Sequence, residues 1–195
     1  PFPRVFKPLF LAVRVAAVWG VFPLMVPGRP QPNTFVLLPP GWSARRIGQE
    51  LKRAGAIRDA NTFLLLHYFG GRSKLKAGEY KFDEPATAFE VRDRLARGDV
   101  YTHTVVVPEG FHMFDGARVV EEAGLGSAAD FLKIAQTDAT LIRDLDPQAK
   151  TLEGYLFPDT YQFNRTQSLH DIVGPMVRRF QQESRALWRN QNVHQ

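Results

Sequence analysis

Between residues 33 and 100, the spacing of apolar residues alternates between strand-like and helical. A short apolar run, Phe35–Leu38, ends at two prolines and predicts a strand. Ser43 suits a helix N-cap, and the periodic apolar residues behind it predict a helix that ends at Gly55. A second helix is predicted from about Asn61 to Phe69. This half of the chain therefore begins as one strand and two helices.

A second strand and a third helix complete this half. Charged and aromatic residues alternate over Glu79–Phe82, which is typical of a half-buried strand. Thr87 and Glu90 have the spacing of a capping box and predict the start of a helix that ends at Gly98. The order strand, helix, helix, strand is that of a small α+β subdomain.

Residues 101–195 continue the mixed pattern with a larger share of helix. A run rich in Val and Thr, Tyr101–Val107, predicts a strand, because β-branched residues fit a pleated surface. Pro108-Glu109-Gly110 predicts the turn that follows it. Helices are then predicted over Met113–Glu122, over Ala128–Thr137 behind the N-cap Ser127, near Thr140, and from Ser168 onward. The sequence thus predicts an α+β protein.

The stretch Thr151–Phe163 places the carboxylate of Glu153 among aliphatic and aromatic side chains. Gly154 and Pro158 interrupt a helix, so we expect a short strand that runs into a turn at Pro158-Asp159. Poorly hydrated surroundings disfavour ionisation, so Glu153 is expected to carry a proton at neutral pH, as a general acid must. The alternative is a solvated loop residue, which is the more common state of a glutamate before a glycine.

The charge of the chain restricts its partners. A formal net charge of +5 and a pI of about 9.7 suit an anionic partner such as nucleic acid, anionic lipid or an acidic polymer. Lys and Arg are scattered and no nucleic-acid-binding motif is present, so no nucleic-acid partner is expected. The absence of Cys excludes thiolate catalysis, and the five His lack metal-ligand spacing. We expect neither a metal nor a cofactor.

The N-terminal segment predicts a membrane anchor. Residues 10–26 are apolar apart from Arg14, and a helix of about 20 apolar residues spans a bilayer. We expect a single transmembrane helix over about residues 8–26, with the basic N-terminal stub in the cytoplasm and a Pro-rich linker up to residue 32. A cleaved signal peptide and a buried helix of a soluble domain are the alternatives.

The stretch Leu152-Glu-Gly-Tyr-Leu-Phe-Pro-Asp-Thr-Tyr161 resembles the signature of the MltG/YceG-like endolytic murein transglycosylases. Lys76–Phe82 and Val105–Gly110 resemble two further segments of that family, in the same order. The resemblance implies a LysM-like βααβ subdomain over 33–100 and the N-terminal part of a mixed α+β catalytic domain over 101–195. The family's catalytic domain normally continues past the equivalent of residue 195, so an incomplete cleft is expected.

The same resemblance implies roles for individual residues. Glu153 would be the single catalytic carboxylate, and the substrate-binding residues would be Glu109, Tyr155, Phe157, Asp159 and Tyr161. Each has a simpler alternative. The aromatic residues can be core residues, Asp159 can fix the Pro-Asp turn, and Glu109 can interact with a helix N-terminus. If Glu109 faced Glu153 across a cleft, ordinary hydrolysis would be an alternative reaction.

The function implied is lytic cleavage of nascent peptidoglycan between N-acetylmuramic acid and N-acetylglucosamine, which leaves 1,6-anhydro ends. The expected location is the bacterial inner membrane, single-pass, with the catalytic part on the periplasmic or outer face. The expected partners are glycan strands and the polymerases and transpeptidases of cell-wall synthesis. The alternative is a non-catalytic, membrane-anchored glycan-binding module. A basic nucleic-acid binder is the weakest alternative.

Overall fold

The computed structural model describes residues 26–70 and 73–192, with side chains up to Arg189. The chain divides into two compact units after Tyr101. The predicted membrane helix falls almost wholly on residues 1–25, which lie outside the described residues. None of the helices in the described part of the chain is both long enough and apolar enough to cross a bilayer.

The first unit has the element order that the sequence predicts. Its two strands pair in antiparallel register, with Thr34 opposite Phe82 and Leu38 opposite Gly78. The elements are β1 (Thr34–Leu38), α1 (Ala44–Arg53), α2 (Ala60–Phe69), β2 (Gly78–Phe82) and α3 (Ala88–Arg97). The predicted strand–helix–helix–strand order is therefore confirmed as a mixed α+β arrangement.

Local side chains determine where the helices of the first unit begin. The hydroxyl of Ser43 accepts a hydrogen bond from Arg46 N at 3.3 Å, and the carboxylate of Asp59 accepts one from Thr62 N at 2.8 Å. Thr87 and Glu90 form the predicted capping box at the start of α3. Behind these starts, one core is formed by buried residues that include Val36, Leu51, Phe63, Tyr80, Phe82 and Leu95.

The second unit is built on another antiparallel pair of strands. His103 lies opposite Phe163 and Val106 lies opposite Thr160. The elements are β3 (His103–Val106), α4 (Met113–Glu122), α5 (Ala128–Thr137), a 3₁₀ helix (Ala139–Ile142), β4 (Thr160–Phe163) and α6 (Leu169–Asn192). The helices begin where the sequence places them, and Ser168 and Asp171 exchange hydrogen bonds of 3.1 and 3.2 Å at the start of α6.

The strands, the three helices and the connecting turns of this unit share one core. Its buried residues include Val105, Val120, Phe131, Ile142, Leu152, Tyr161, Ile172 and Met176. Burial of this apolar surface is the main source of stability for the unit. Leu152 takes part although it belongs to no helix or strand, and it therefore ties the segment before β4 to the core.

The expected order of strand and turn in residues 151–163 is wrong. Residues 151–159 form turns, and the strand follows Pro158-Asp159 instead of preceding it. The physical reason is strand pairing, because residues 160–163 are the ones that lie opposite β3. The last contact of this ladder is the hydrogen bond from Val107 N to Asp159 O at 3.0 Å.

Candidate active site

Glu153 lies in a tight turn that is fixed to the core on one side. Leu152 is fully buried, and its N–H donates to the carbonyl of Ala135 at 2.7 Å. Tyr155 N donates back to Leu152 O at 3.0 Å, which closes the turn. Gly154 has a φ of +80°, a left-handed conformation that favours glycine. The turn therefore directs Leu152 inward and leaves Glu153 at the surface.

The N-terminus of α4 holds the carboxylate of Glu153. Its Oε2 accepts a hydrogen bond from the main-chain N–H of Met113 at 2.9 Å. Its Oε1 lies 3.2 Å from Nδ1 of His112, the residue just before the helix. The first N–H groups of a helix lack intrahelical acceptors, and the helix dipole favours negative charge there. Both oxygens of Glu153 are thus oriented by one helix terminus.

The surroundings of Glu153 differ from the apolar pocket that the sequence suggests. Its side chain keeps 39% of its surface exposed, and its polar neighbours are the Met113 N–H and the His112 ring at the start of α4. Three aromatic residues of the stretch, Tyr155, Tyr161 and Phe163, instead lie in or against the core of the unit. The expectation of a poorly hydrated site is therefore wrong for the protein without bound substrate. The exposure leaves the carboxylate accessible to an external ligand.

Tyr155 is half-buried and its two ends have different partners. Its hydroxyl donates to Asp146 at 2.6 Å, and its ring meets Phe180 edge-on with centroids 5.2 Å apart. This hydrogen bond lowers the pKa of Asp146 and raises the pKa of Tyr155. These contacts hold Tyr155 in place next to the turn of Glu153.

Phe157 and Tyr161 are linked through the main chain. Phe157 N donates to Met176 O at 3.3 Å, and its carbonyl accepts from the hydroxyl of Tyr161 at 2.7 Å. Tyr161 is buried and stacks on Phe163 with centroids 5.7 Å apart. Burial raises the pKa of Tyr161 to about 12. The structure therefore gives Tyr161 the core position that was the alternative to a sugar contact, whereas Phe157 is only half-buried.

Asp159 fixes the turn before β4. Its carboxylate accepts from Thr160 N at 2.7 Å and from Nε of Arg179 at 3.0 Å. The Thr160 N–H, followed by the Arg179 guanidinium, lowers the pKa of Asp159. These contacts are those of the turn-fixing alternative, and they bring α6 to the end of the Glu153 segment.

Glu109 is exposed in the connection between β3 and α4. The neighbouring Gly110 has a φ of +82°, which turns the chain toward the helix. Within the described part of the chain, no hydrogen bond or ion pair joins Glu109 to Glu153. The same connection ends at His112, so it is His112 rather than Glu109 that contacts Glu153.

Sequence reasoning missed the two groups that hold Glu153. Metal-ligand spacing among the histidines does not identify His112. The Met113 N–H cannot be recognised from the residue type, because every residue except proline has one. The available signal was the predicted helix start at Met113, because a helix N-terminus is a general anion site. Across residues 26–70 and 73–192, the structure has no group of three metal-ligating side chains.

The chain can be compared with known proteins. The model of the YceG-like family matches residues 36–195. A protein named endolytic murein transglycosylase from Streptococcus pneumoniae serotype 2 (strain D39 / NCTC 7466) is 26% identical over 165 residues, 72% of this chain. A protein of the same name from Bacillus subtilis (strain 168) is 28% identical over 158 residues, also 72% of this chain.

A solved structure is also similar. The crystal structure of a putative yceG-like protein from Listeria monocytogenes is 25% identical, with a TM-score of 0.39 over 80% of this chain and 56% of that one.

The chain belongs to the YceG-like family, because the family model covers most of its length. It spans 30% of the length of the pneumococcal relative and 43% of the length of the Bacillus relative. The resemblance drawn from the sequence motifs is thereby confirmed at the level of the family.

Proposed function

We propose that this protein is a lytic transglycosylase that cleaves the glycan strands of peptidoglycan internally. Family membership and relatives named endolytic murein transglycosylase support this function. The observation that carries it is the carboxylate of Glu153, which is accessible at the surface and oriented by the first N–H of α4 and by His112. A single fixed carboxylate that reaches solvent is what this reaction requires.

Glu153 acts in both halves of the proposed reaction. As an acid, it donates its proton to the glycosidic oxygen between N-acetylmuramic acid and N-acetylglucosamine, and the bond from C1 to that oxygen breaks. As a base, it then takes the proton of the C6 hydroxyl of the muramic acid while that oxygen bonds to C1. The products are a 1,6-anhydro end and a free hydroxyl, and no water is consumed.

A bound sugar would also change the hydration of the site. The exposed side of Glu153 faces water in the free protein. A glycan strand over this side would displace that water, and desolvation favours the neutral, proton-carrying form of a carboxyl. The poorly hydrated environment expected from the sequence would therefore form only in the complex.

The proposed sugar contacts follow from exposure. Glu109 is exposed and Tyr155, Phe157 and Asp159 are half-buried, so each has surface that a sugar ring or hydroxyl can reach. Tyr161 is proposed to act indirectly, since it supports the Phe157 carbonyl from the core. Asp159 is also proposed to hold the turn in place through its hydrogen bond from Arg179.

The test is the isosteric substitution Glu153→Gln in the full-length protein, with uncrosslinked glycan strands as substrate. Loss of a general acid should lower the rate of cleavage by about 10²- to 10⁴-fold. Glu122→Gln is the matched control, because Glu122 is an exposed glutamate that pairs with Arg118 elsewhere on α4. Mass spectrometry identifies the products, and reducing ends in place of 1,6-anhydro ends would mean that water is the acceptor.

A glycan-binding function of the first unit is the second candidate. Phe35 and Leu37 lie on the same face of β1 and are 44% and 42% exposed, and Phe35 meets Tyr101 edge-on at 5.1 Å. Flat exposed rings suit the C–H faces of sugars. Phe35→Ala should weaken binding to glycan strands in a pull-down, whereas Glu153→Gln should leave binding intact. If the variants bind and cleave as wild type does, neither Glu153 nor Phe35 has the role proposed for it; if wild type neither binds nor cleaves glycan strands, both candidate functions are wrong.

The membrane anchor belongs to the same proposal. The apolar residues of 8–26, preceded by Arg4 and Lys7, support a single-pass anchor in the bacterial inner membrane with the catalytic unit on the outer face. The wall-synthesis polymerases and transpeptidases would be functional partners there. Extraction of membranes with carbonate should leave the full-length protein in the pellet, and release into the supernatant would contradict the anchor.

A further inference from the structure

The segment between the predicted anchor and β1 is packed against the first unit. Gly28 N donates to Ala86 O at 2.8 Å, and a Cβ on Gly28 would lie only 2.4 Å from Ala56 O. Further along, Asn33 N donates to Asp83 at 3.0 Å. The Pro-rich linker predicted up to residue 32 is therefore part of the unit from Gly28 onward, and it does not separate the unit from the anchor.

The position of Gly28 limits how far the first unit can stand from a bilayer. The predicted anchor ends at residue 26, and two fully extended residues reach at most about 7 Å. The headgroup layer on each side of the hydrocarbon core is about 5–8 Å thick. If residues 8–26 span the membrane, Gly28 and the surface around it therefore lie at the level of the lipid headgroups.

A cavity of about 390 Å³ opens at this surface. Two exposed arginines, Arg29 and Arg58, contribute to its wall, and none of the described residues that line it is acidic. Within the described part of the chain, neither guanidinium has a hydrogen bond or an ion pair. The cavity is lined by Pro27, Gly28, Arg29, Gly55, Ile57 and Arg58. It therefore presents two unpaired cations beside the end of the anchor.

The sequence around the cavity has an excess of positive charge. Residues 26–58 contain six Lys and Arg and one acidic residue, Glu50. Asp59, next to Arg58, has other partners, because its carboxylate accepts from Thr62 N at 2.8 Å and lies 3.8 Å from Lys52. Residues 102–195 contain nine basic and twelve acidic residues. The net positive charge of the chain therefore lies toward the predicted anchor.

We infer that this cavity binds the phosphate group of an anionic phospholipid, with the guanidinium groups of Arg29 and Arg58 as the hydrogen-bond donors. The planar guanidinium matches a phosphate with two parallel N–H donors. Basic residues are attracted to an anionic membrane surface within a Debye length, and the packed linker keeps these two within that distance. The inference rests on the proposed membrane anchor. It adds that the first unit is held against the bilayer.

Energy transfer to the membrane tests this placement. The chain has no Cys, so a single introduced Cys gives a unique site for a donor dye. Gln31→Cys lies in the packed linker, whereas Pro40→Cys follows the far end of β1, about 17 Å further along the strand. The full-length protein is reconstituted in vesicles with an acceptor dye on the headgroups. Transfer should be more efficient from residue 31, and equal transfer from both positions would overturn the placement.

Lipid composition and two pairs of substitutions test the cavity. Vesicles of equal parts phosphatidylglycerol and phosphatidylcholine should give more transfer from residue 31 than phosphatidylcholine alone. Arg29→Gln with Arg58→Gln should abolish this difference. Arg45→Gln with Arg46→Gln is the matched control, because it removes the same charge from exposed arginines at the start of α1. It should keep the difference. Equal effects of the two pairs would overturn the cavity as the site.

Inorganic phosphate is the second probe. Sodium phosphate, compared with sodium chloride at the same ionic strength, should leave the transfer from residue 31 unchanged, because the bilayer presents many phosphates close to the cavity. If phosphate abolishes the dependence on phosphatidylglycerol and chloride does not, the ligand is free phosphate and the lipid assignment is wrong.

Carbonate extraction separates this inference from the proposed anchor. If carbonate releases the full-length protein from membranes, the anchor fails and the headgroup site fails with it. If the protein stays in the pellet and transfer from residue 31 does not depend on phosphatidylglycerol, only the headgroup site fails.

Discussion

Neighbouring residues of the Glu153 stretch have opposite environments. Leu152 is fully buried, Glu153 is exposed, and Tyr161 lies in the core. Leu152 begins the turn, where its N–H is bound to Ala135 O in the core, whereas Glu153 lies inside the turn, which the left-handed φ of Gly154 allows to close. A mixture of acidic and aromatic residues in sequence therefore does not imply that they meet in space. The burial of each residue here is determined by the fold of the turn and not by the residues beside it in sequence.

The hydrogen bond from Tyr155 to Asp146 should make stability depend on pH. The Asp146 pKa is lowered from 3.8, so its contribution is present above that value and disappears as the pH falls through the lowered value. The Tyr155 pKa is raised from 10.0, so its contribution is lost in strong alkali. Tyr155→Phe should lower the urea midpoint at neutral pH, and the difference from wild type should vanish well below pH 3.8.

Tyr68→Phe is the control for this experiment, because Tyr68 is an exposed tyrosine of the first unit. It should leave the midpoint unchanged at either pH. A difference between Tyr155→Phe and wild type that persisted in acid would mean that ring packing on Phe180, rather than the hydrogen bond, is responsible.

At the scale of elements, the turn at Gly154 should be more important for cleavage than for stability. Alanine at a φ of +80° is strained by about 1–2 kcal/mol, although the space for its Cβ is open. Relief of that strain would rotate the adjacent Glu153 away from α4. Gly154→Ala should therefore reduce both the thermal midpoint and the rate of glycan cleavage.

Gly41→Ala is the matched control, with a φ of +85° and equally open space in the first unit. It should lower the free energy of unfolding by a similar amount and leave the rate of cleavage unchanged. Equal cleavage by both variants would show that the turn does not determine the position of Glu153.

The elements that could be predicted from sequence are those with local causes. The starts of α3 and α5 follow from Thr87 with Glu90 and from Ser127, because a cap and its helix are neighbours in the chain. The strand after Pro158 could not be located, since its partner β3 begins 57 residues earlier. The contact of Glu153 with His112 has the same non-local origin, so the catalytic candidate was predicted and its surroundings were not.

On the scale of the whole molecule, each unit has its own hydrophobic core. Phe63 belongs to one buried cluster and Phe131 to the other, and both side chains are fully buried. Phe131→Ala should destabilise the second unit by about 3–5 kcal/mol through loss of burial and a residual cavity. Hydrogen exchange should accelerate among the amides of residues 102–192, and cleavage should be lost on mild heating.

Phe63→Ala should have the reciprocal effect on the amides of residues 26–101, with a similar cost. This pair of variants serves as its own control, because the residue type, the burial and the substitution are the same. Acceleration across both units in either variant would contradict independent cores and indicate one cooperative fold.

Because Met113 contributes its main-chain N–H, most substitutions at position 113 should keep the contact with Glu153. No side-chain replacement at position 113 can remove an N–H except proline, which is tolerated at the first position of a helix. His112, with φ −87° and ψ 166°, already has the extended conformation that a following proline requires. In a saturation mutagenesis screen, apolar replacements at 113 should therefore be nearly silent. Proline should be the exceptional allele that folds normally and yet loses the proposed glycan cleavage.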